Sequence, residues 1–160
     1  MTSLIPDDQL LKKIFTTSKT IAMVGVSSLK KEENPSFIKR RPSTIVMKYL
    51  QEFGYKVIPV NPTSEGKQLF GETIVGSLKD ITVPVDIVNV FRPSTETPEI
   101  AKLATEIETR VFWLQYGIQN MEAENISNSA NIIYVANRCI KQEYQRLFLK
   151  MNPVFPALKN

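Results

Sequence analysis

Histidine is absent from the 160 residues. That excludes histidine-ligated metal centres, Ser-His-Asp and Cys-His catalysis, and any phosphohistidine intermediate. A single cysteine, Cys139, excludes an internal disulfide and a multi-cysteine zinc or iron–sulfur site. Long apolar runs are also missing: none approaches the roughly 18 residues a membrane span needs. The first residues lack the basic region and apolar core of a signal peptide. A free thiol without an export signal makes a cytoplasmic location the expectation. The carboxylates Glu32, Glu33 and Asp86 show no paired-acid arrangement of the kind glycosidases and aspartic proteases use.

What is present is ordinary globular material, 42% hydrophobic and 22% charged. A chain of this length buries roughly 70% of its unfolded surface on folding. It is read as a single domain over 1–150 followed by a tail over 151–160. The net charge of +4 raises the question of nucleic acid. Its location answers that question: Lys30, Lys31, Lys39, Arg40 and Arg41, against Glu32 and Glu33, carry +3 of it. The remainder is close to neutral, so this is one basic loop rather than a basic face, and neither a nucleic-acid nor a membrane partner is expected.

Two periodicities alternate along the chain. Asp7 or Asp8 can cap a helix to about residue 15, with Leu10, Leu11 and Ile14 at helical spacing. Residues 20–25 form an unbroken apolar run ending in glycine, the pattern of a strand buried on both faces of a parallel sheet. Pro42 suits the first position of a helix, because its missing N–H would be unpaired there. Ile45, Val46, Tyr49, Leu50 and Phe53 mark the buried stripe of that helix, and Gly54 stops it. Further strands are expected over 56–60, 85–91, 110–114 and 131–135. Helices are expected over about 94–108, 121–130 and 140–149, with a helical turn near 77–81 and an irregular glycine-containing stretch before it. Strands alternating with helices predict an α/β fold: a Rossmann-like, doubly wound, mostly parallel sheet of five or more strands with helices on both faces.

Ligands of such sheets sit beyond the carboxyl ends of the strands, where the strand order reverses. Beyond the first strand stand Gly25, Val26, Ser27 and Ser28, small enough for a phosphate to approach the backbone. The helix opening at Pro42 can aim unpaired N–H groups at an anion. This is not the dinucleotide fingerprint, since Ser27 and Lys30 stand where glycines would be required. A small-residue turn needed only for packing explains the segment equally. Val60, Asn61 and Pro62 end the second strand without the acid that usually holds an NAD ribose, which suits a phosphorylated ribose; a plain Asn-Pro turn is the competing reading. The basic loop leads directly into Pro42, so a ligand with several phosphates accommodates all three features; a solvated surface run is the competing reading of the bases.

Several short segments then occur in order: Val24 to Ser28; Arg41, Pro42 and Ser43 opening a helix; Gly54 to Pro62; Gly66 and Lys67; Val90 to Arg92; Trp113 to Gly117; and Asn137 to Cys139. Together, over residues 14–147, they resemble the small bacterial and archaeal CoA-binding proteins related to the nucleotide-binding domain of succinyl-CoA synthetase alpha subunits. The resemblance implies that Gly25, Val26, Ser27 and Ser28, with the amides near Pro42, Ser43 and Thr44, hold the pyrophosphate; Arg41, with the other bases of the loop, is expected to neutralise the remaining phosphate. Val60, Asn61 and Pro62, with Lys56 and Lys67, would border the adenosine and its 3′-phosphate. Phe91, Arg92 and Pro93 would flank the adenine or pantetheine, and Gln115 and Gly117 would line the far wall. Two positions depart from the family pattern: Asn137 stands where an aspartate is usual, and Tyr144 where relatives often carry histidine.

No nucleophile–base pair is visible, and the ligase reaction of the synthetase needs a histidine this sequence lacks. The expectation is a CoA- or acyl-CoA-binding protein without catalysis of its own, in a sensor, carrier or accessory role, with a homo-oligomer or a protein partner left open. The alternatives are an NAD(P)-type nucleotide-binding enzyme, an acyl-CoA transferase or ligase component, and an interaction domain without ligand. Cys139 reads either as a buried small hydrophobe or as a thiolate at a helix start, in reach of the CoA thiol. Phe112 and Trp113 read as core.

Overall fold

The computed structural model describes residues 5–26 and 42–149. The basic loop with Ser27, Ser28 and Arg41, and the tail from 150, lie outside the described residues.

Helix α1 (Asp8–Thr17) starts where Asp7 Oδ1 accepts the N–H of Leu10 at 2.8 Å, satisfying one of the unpaired amides of its first turn. It buries Leu11, Ile14 and Phe15. Strand β1 (Thr20–Val24) follows, then α2 (Pro42–Glu52) and β2 (Lys56–Val60). A two-stranded hairpin, β3 (Gln68–Leu69) and β4 (Glu72–Thr73), occupies the glycine-containing stretch. Its connection is Phe70-Gly71, both with positive φ (49° and 83°), a turn whose twist matches that of paired strands. The chain continues through β5 (Ile87–Val90), a 3-10 turn (Ser94–Glu96) and α3 (Thr97–Glu106). Strand β6 (Val111–Leu114), α4 (Met121–Ser129), β7 (Ile133–Val135) and α5 (Ile140–Tyr144) complete it, the last widening into a π-helical segment over Gln145–Leu149.

Five strands form one parallel sheet in the order β2-β1-β5-β6-β7. Val24 lies opposite both Val60 and Val90, so β1, β2 and β5 end at one level. Beyond β2, Val75 makes a single parallel bridge to Val60, with the Val75 N–H donating to Pro59 O at 3.0 Å and its carbonyl accepting from Asn61 N at 2.9 Å. This one residue is a sixth strand reduced to its minimum. With it the sheet has the order of a dinucleotide-binding domain.

Strand residues alternate between two cores. On one face Ile21, Met23, Ile87, Val111 and Trp113 pack beneath α1, α2 and α5. On the other Ala22, Val88, Val90, Phe112 and Leu114 pack beneath α3 and α4. The sheet is therefore doubly wound, as expected, and Phe112 and Trp113 are fully buried core. Trp113 keeps its Nε1–H satisfied on Arg138 O at 2.7 Å. Among the described residues no helix is long and apolar enough to cross a membrane.

Three local expectations need correction. The buried face of α2 is Ser43, Thr44, Val46, Met47 and Leu50; Ile45 and Phe53 are 38% and 40% exposed. The helix is turned so that two small residues and Met47 meet the sheet, while Tyr49 and Phe53 pack sideways on Tyr144. The helix expected over 94–108 opens as a 3-10 turn and becomes α-helical only at Thr97. The final helix loses α geometry after Tyr144.

Candidate functional site

The strand order reverses between β1 and β5, since the chain leaves β1 for β2 on one side and returns to β5 on the other. Gly25 follows β1 and Phe91 follows β5 at that point. Gly25 N–H donates to Val60 O at 2.9 Å and Phe91 N–H to Val24 O at 2.8 Å, so both residues extend the ladder. Gly25 has φ 94°, and a Cβ there would lie 2.7 Å from Phe91 O and 2.8 Å from Arg92 Cδ. Glycine is thus required by conformation and by the closeness of Phe91 and Arg92.

Two clefts open at this point. The first, about 490 Å³, is lined by Val24, Gly25, Val60, Asn61, Pro62, Thr63, Gly76, Ser77, Leu78, Arg92, Glu96, Ile100 and Leu103. Its lining surface is mainly apolar, with Asn61, Thr63, Ser77, Arg92 and Glu96 as the polar members. The second, about 800 Å³, is lined by Pro42, Val46, Phe91, Arg92, Pro93, Gln115, Tyr116, Ile118, Cys139 and Gln142. Pro42 places the N-terminal end of α2 on this second cleft, where the positive end of the helix dipole favours an anion. Arg92 borders both clefts and is the only cation among the described residues that line them. It is bound bidentately by Glu96, Nε to Oε1 at 3.0 Å and Nη2 to Oε2 at 2.7 Å. Through these hydrogen bonds the guanidinium holds the Glu96 carboxyl below its usual value, and the carboxylate raises that of the guanidinium.

Gly25, Val60, Asn61 and Pro62 meet on the first cleft; Pro42, Phe91, Pro93 and Gln115 meet on the second; Arg92 joins them. Asn61 also clamps the strand ends: its Nδ2 donates to Val26 O at 2.8 Å, and its Oδ1 accepts from Thr63 N at 3.0 Å. Val26 is buried. Ser43 and Thr44 are buried in the first turn of α2 and line neither cleft. Gln115 is 4% exposed and structurally committed. Its Nε2 donates to Asn89 Oδ1 at 2.6 Å, and its Oε1 accepts from Ile140 N at 3.3 Å. Gly117 forms a turn past β6, φ 85°, its N–H donating to Asn137 Oδ1 at 2.6 Å.

Two predicted basic residues are not brought to the clefts. Lys56 begins β2, at the end of the strand opposite Asn61, and its Nζ pairs with Glu72 at 2.8 Å. Lys67 is exposed on the loop entering β3 and lines neither cleft. The site also has members that strand ends alone do not reveal. Ile100 and Leu103 come from α3, and Ser77 and Leu78 from the turn after Val75. Glu96 is an acid present in space although the end of β2 has none. Helical periodicity marks Ile100 and Leu103 as inward-facing, but nothing in it selects them as cleft residues.

The family departures have structural explanations. Asn137 has φ 59°, a left-handed conformation asparagine adopts readily, and caps the Gly117 turn. Tyr144 lies on α5 among Phe15, Tyr49, Phe53, Tyr55 and Phe148, and lines neither cleft. Burial pushes the Tyr49 phenol up to about 12, and Tyr55 up as well. Cys139 satisfies part of each reading: it packs against the core and lines the second cleft at the start of α5.

Known proteins resemble this chain in sequence and fold. YneT, an uncharacterized protein of Bacillus subtilis (strain 168), is 39% identical over 136 residues, spanning 85% of this chain and 93% of YneT. The solved structure of cell-free ID.343 from Thermus thermophilus is 40% identical with a TM-score of 0.79, covering 89% of this chain and all of that one. A hypothetical protein from Pyrococcus horikoshii OT3 is 36% identical with a TM-score of 0.76, covering 92% and 99%. The sequence profile of the CoA binding domain matches residues 19–145, and the chain belongs to the CoA binding domain family.

Proposed function

We propose that the protein binds one molecule of CoA or acyl-CoA across the two clefts, in a sensor, carrier or accessory role without chemistry of its own. The observation that carries this reading is the junction at Gly25 and Arg92. A mainly apolar cleft suited to a purine lies on one side, and a larger cleft suited to a pantetheine arm lies on the other. Between them the backbone of Gly25 carries no side chain, and the start of α2 supplies a favourable dipole for a diphosphate. Phe91, Pro93 and the 78% exposed Tyr116 form a wall for the arm, ending near Cys139. The basic loop that precedes Pro42 in sequence supplies charge for the remaining phosphate.

Isothermal titration calorimetry with CoA, dephospho-CoA and NADH tests this. CoA is expected to bind tightest, dephospho-CoA less well, and NADH at least about tenfold more weakly than CoA, the factor one lost charge-assisted contact produces. NADH bound as tightly as CoA would favour the dinucleotide enzyme instead. No binding of any of the three would leave an interaction domain.

A further inference from the structure

Arg92, the single cation among the described residues that line both clefts, is already engaged. Arg92 is held by Glu96 through two charge-assisted hydrogen bonds in the fork-to-carboxylate arrangement. Each side chain of the pair is 45% exposed, a setting in which such pairs are weak and readily exchanged. The aliphatic stem of Arg92 fills the space beside Gly25 that a side chain would occupy, its Cδ 2.8 Å and its Cγ 3.1 Å from that position. Glu96 itself faces the first cleft. In this arrangement the guanidinium charge is neutralised and the Arg92 side chain borders both clefts beside Gly25. A carboxylate stands where a bound diphosphate would meet like charge.

We propose that Arg92 and Glu96 form a latch. A ligand carrying a 5′-diphosphate takes the place of the Glu96 carboxylate on the Arg92 guanidinium, and the exchange selects ligands that span both clefts over those that fill only one. No bond is made or broken covalently; one anion replaces another on the same fork. The proposal rests on the nucleotide-binding reading above. It adds a specificity role for Arg92 and a positioning role for Glu96, which holds Arg92 in place before the ligand arrives.

The test is calorimetry of ADP and adenosine on four proteins: wild type, Glu96→Gln, Arg92→Gln and the double variant, each first checked for an intact thermal transition. The readout is the ratio of ADP to adenosine affinity, so that direct effects of residue 96 on the first cleft cancel. Glu96→Gln is expected to raise the ratio about three- to fivefold, the size of an exposed pair released. Arg92→Gln is expected to lower it about tenfold, and adding Glu96→Gln to Arg92→Gln should give no rise. A ratio unchanged by Glu96→Gln, or raised equally with and without Arg92, overturns the latch even if CoA binds the wild type. Wild type that binds neither CoA nor ADP overturns the latch together with the binding function itself.

Discussion

At the scale of single residues, small groups control the centre of the site. Gly25 carries two demands at once, a positive φ and a Cβ position blocked by Phe91 O at 2.7 Å. Gly25→Ala is therefore expected to destabilise the fold by about 1–3 kcal/mol, seen as a lower midpoint in urea unfolding followed by circular dichroism. An unchanged midpoint would mean that β1 and β5 can separate at their ends without cost. The glycine was visible in the sequence as the end of an apolar run, but its partners were not. Phe91 and Arg92 lie 66 and 67 positions further on, and only the pairing of β1 with β5 sets them beside it. Asn61 repeats the lesson. Its role as a turn former was legible, whereas its hydrogen bond to Val26 O spans 35 residues and joins two strand ends. Lys56 shows the reverse: the resemblance implied a place beside the 3′-phosphate, and the direction of β2 carries it to the far end, onto Glu72.

At the scale of elements, α5 is fastened by means its own sequence hides. Its α-helical turn is short, and its hold comes from Tyr144, whose ring centroid lies 4.8–6.2 Å from those of Phe148, Phe53, Phe15, Tyr49 and Tyr55. Ion pairs reinforce it: Arg146 bridges Glu143 and Asp8, and Glu143 also takes Arg138. The Arg146 guanidinium holds the Asp8 carboxyl below its usual value. Tyr144→Ala removes the centre of the aromatic cluster and is expected to cost about 2–4 kcal/mol while leaving the affinity for CoA within about twofold. Thermal unfolding and calorimetry on the same preparation separate the two effects. Loss of CoA affinity with stability intact would instead give this position a binding role. The helix itself was predictable from its apolar spacing. Its widening after Tyr144, and the orientation of α2 that buries Met47 rather than Ile45, accompany aromatic rings from α1, α2 and α5 packed together, a contact no single helix encodes.

At the scale of the whole molecule, charge is distributed unevenly: +3 of the net +4 belongs to residues 30–41, immediately before α2. If that segment neutralises phosphate, CoA affinity should fall as salt rises through the range where the Debye length shrinks from about 10 Å to 3 Å. Arg41→Glu should weaken CoA about tenfold and flatten that salt dependence, both measured by titration at several chloride concentrations. Equal affinity at low and high salt would place the phosphates away from these bases. The sequence alone determined the class of fold, because alternation of short apolar runs with helical patterns admits few packings other than a parallel sheet covered on both faces. It also determined, through missing histidine, which chemistries the chain lacks. Only the tertiary structure decided which strands are neighbours, and hence that β1 and β5 part at Gly25 and Arg92. The physical reason is that a strand's apolar pattern records that it is buried, not against which partner. The two clefts exist only where residues distant in sequence converge, whereas the Arg92–Glu96 pair is local, four residues apart, and the fold decides only that it lies beside Gly25.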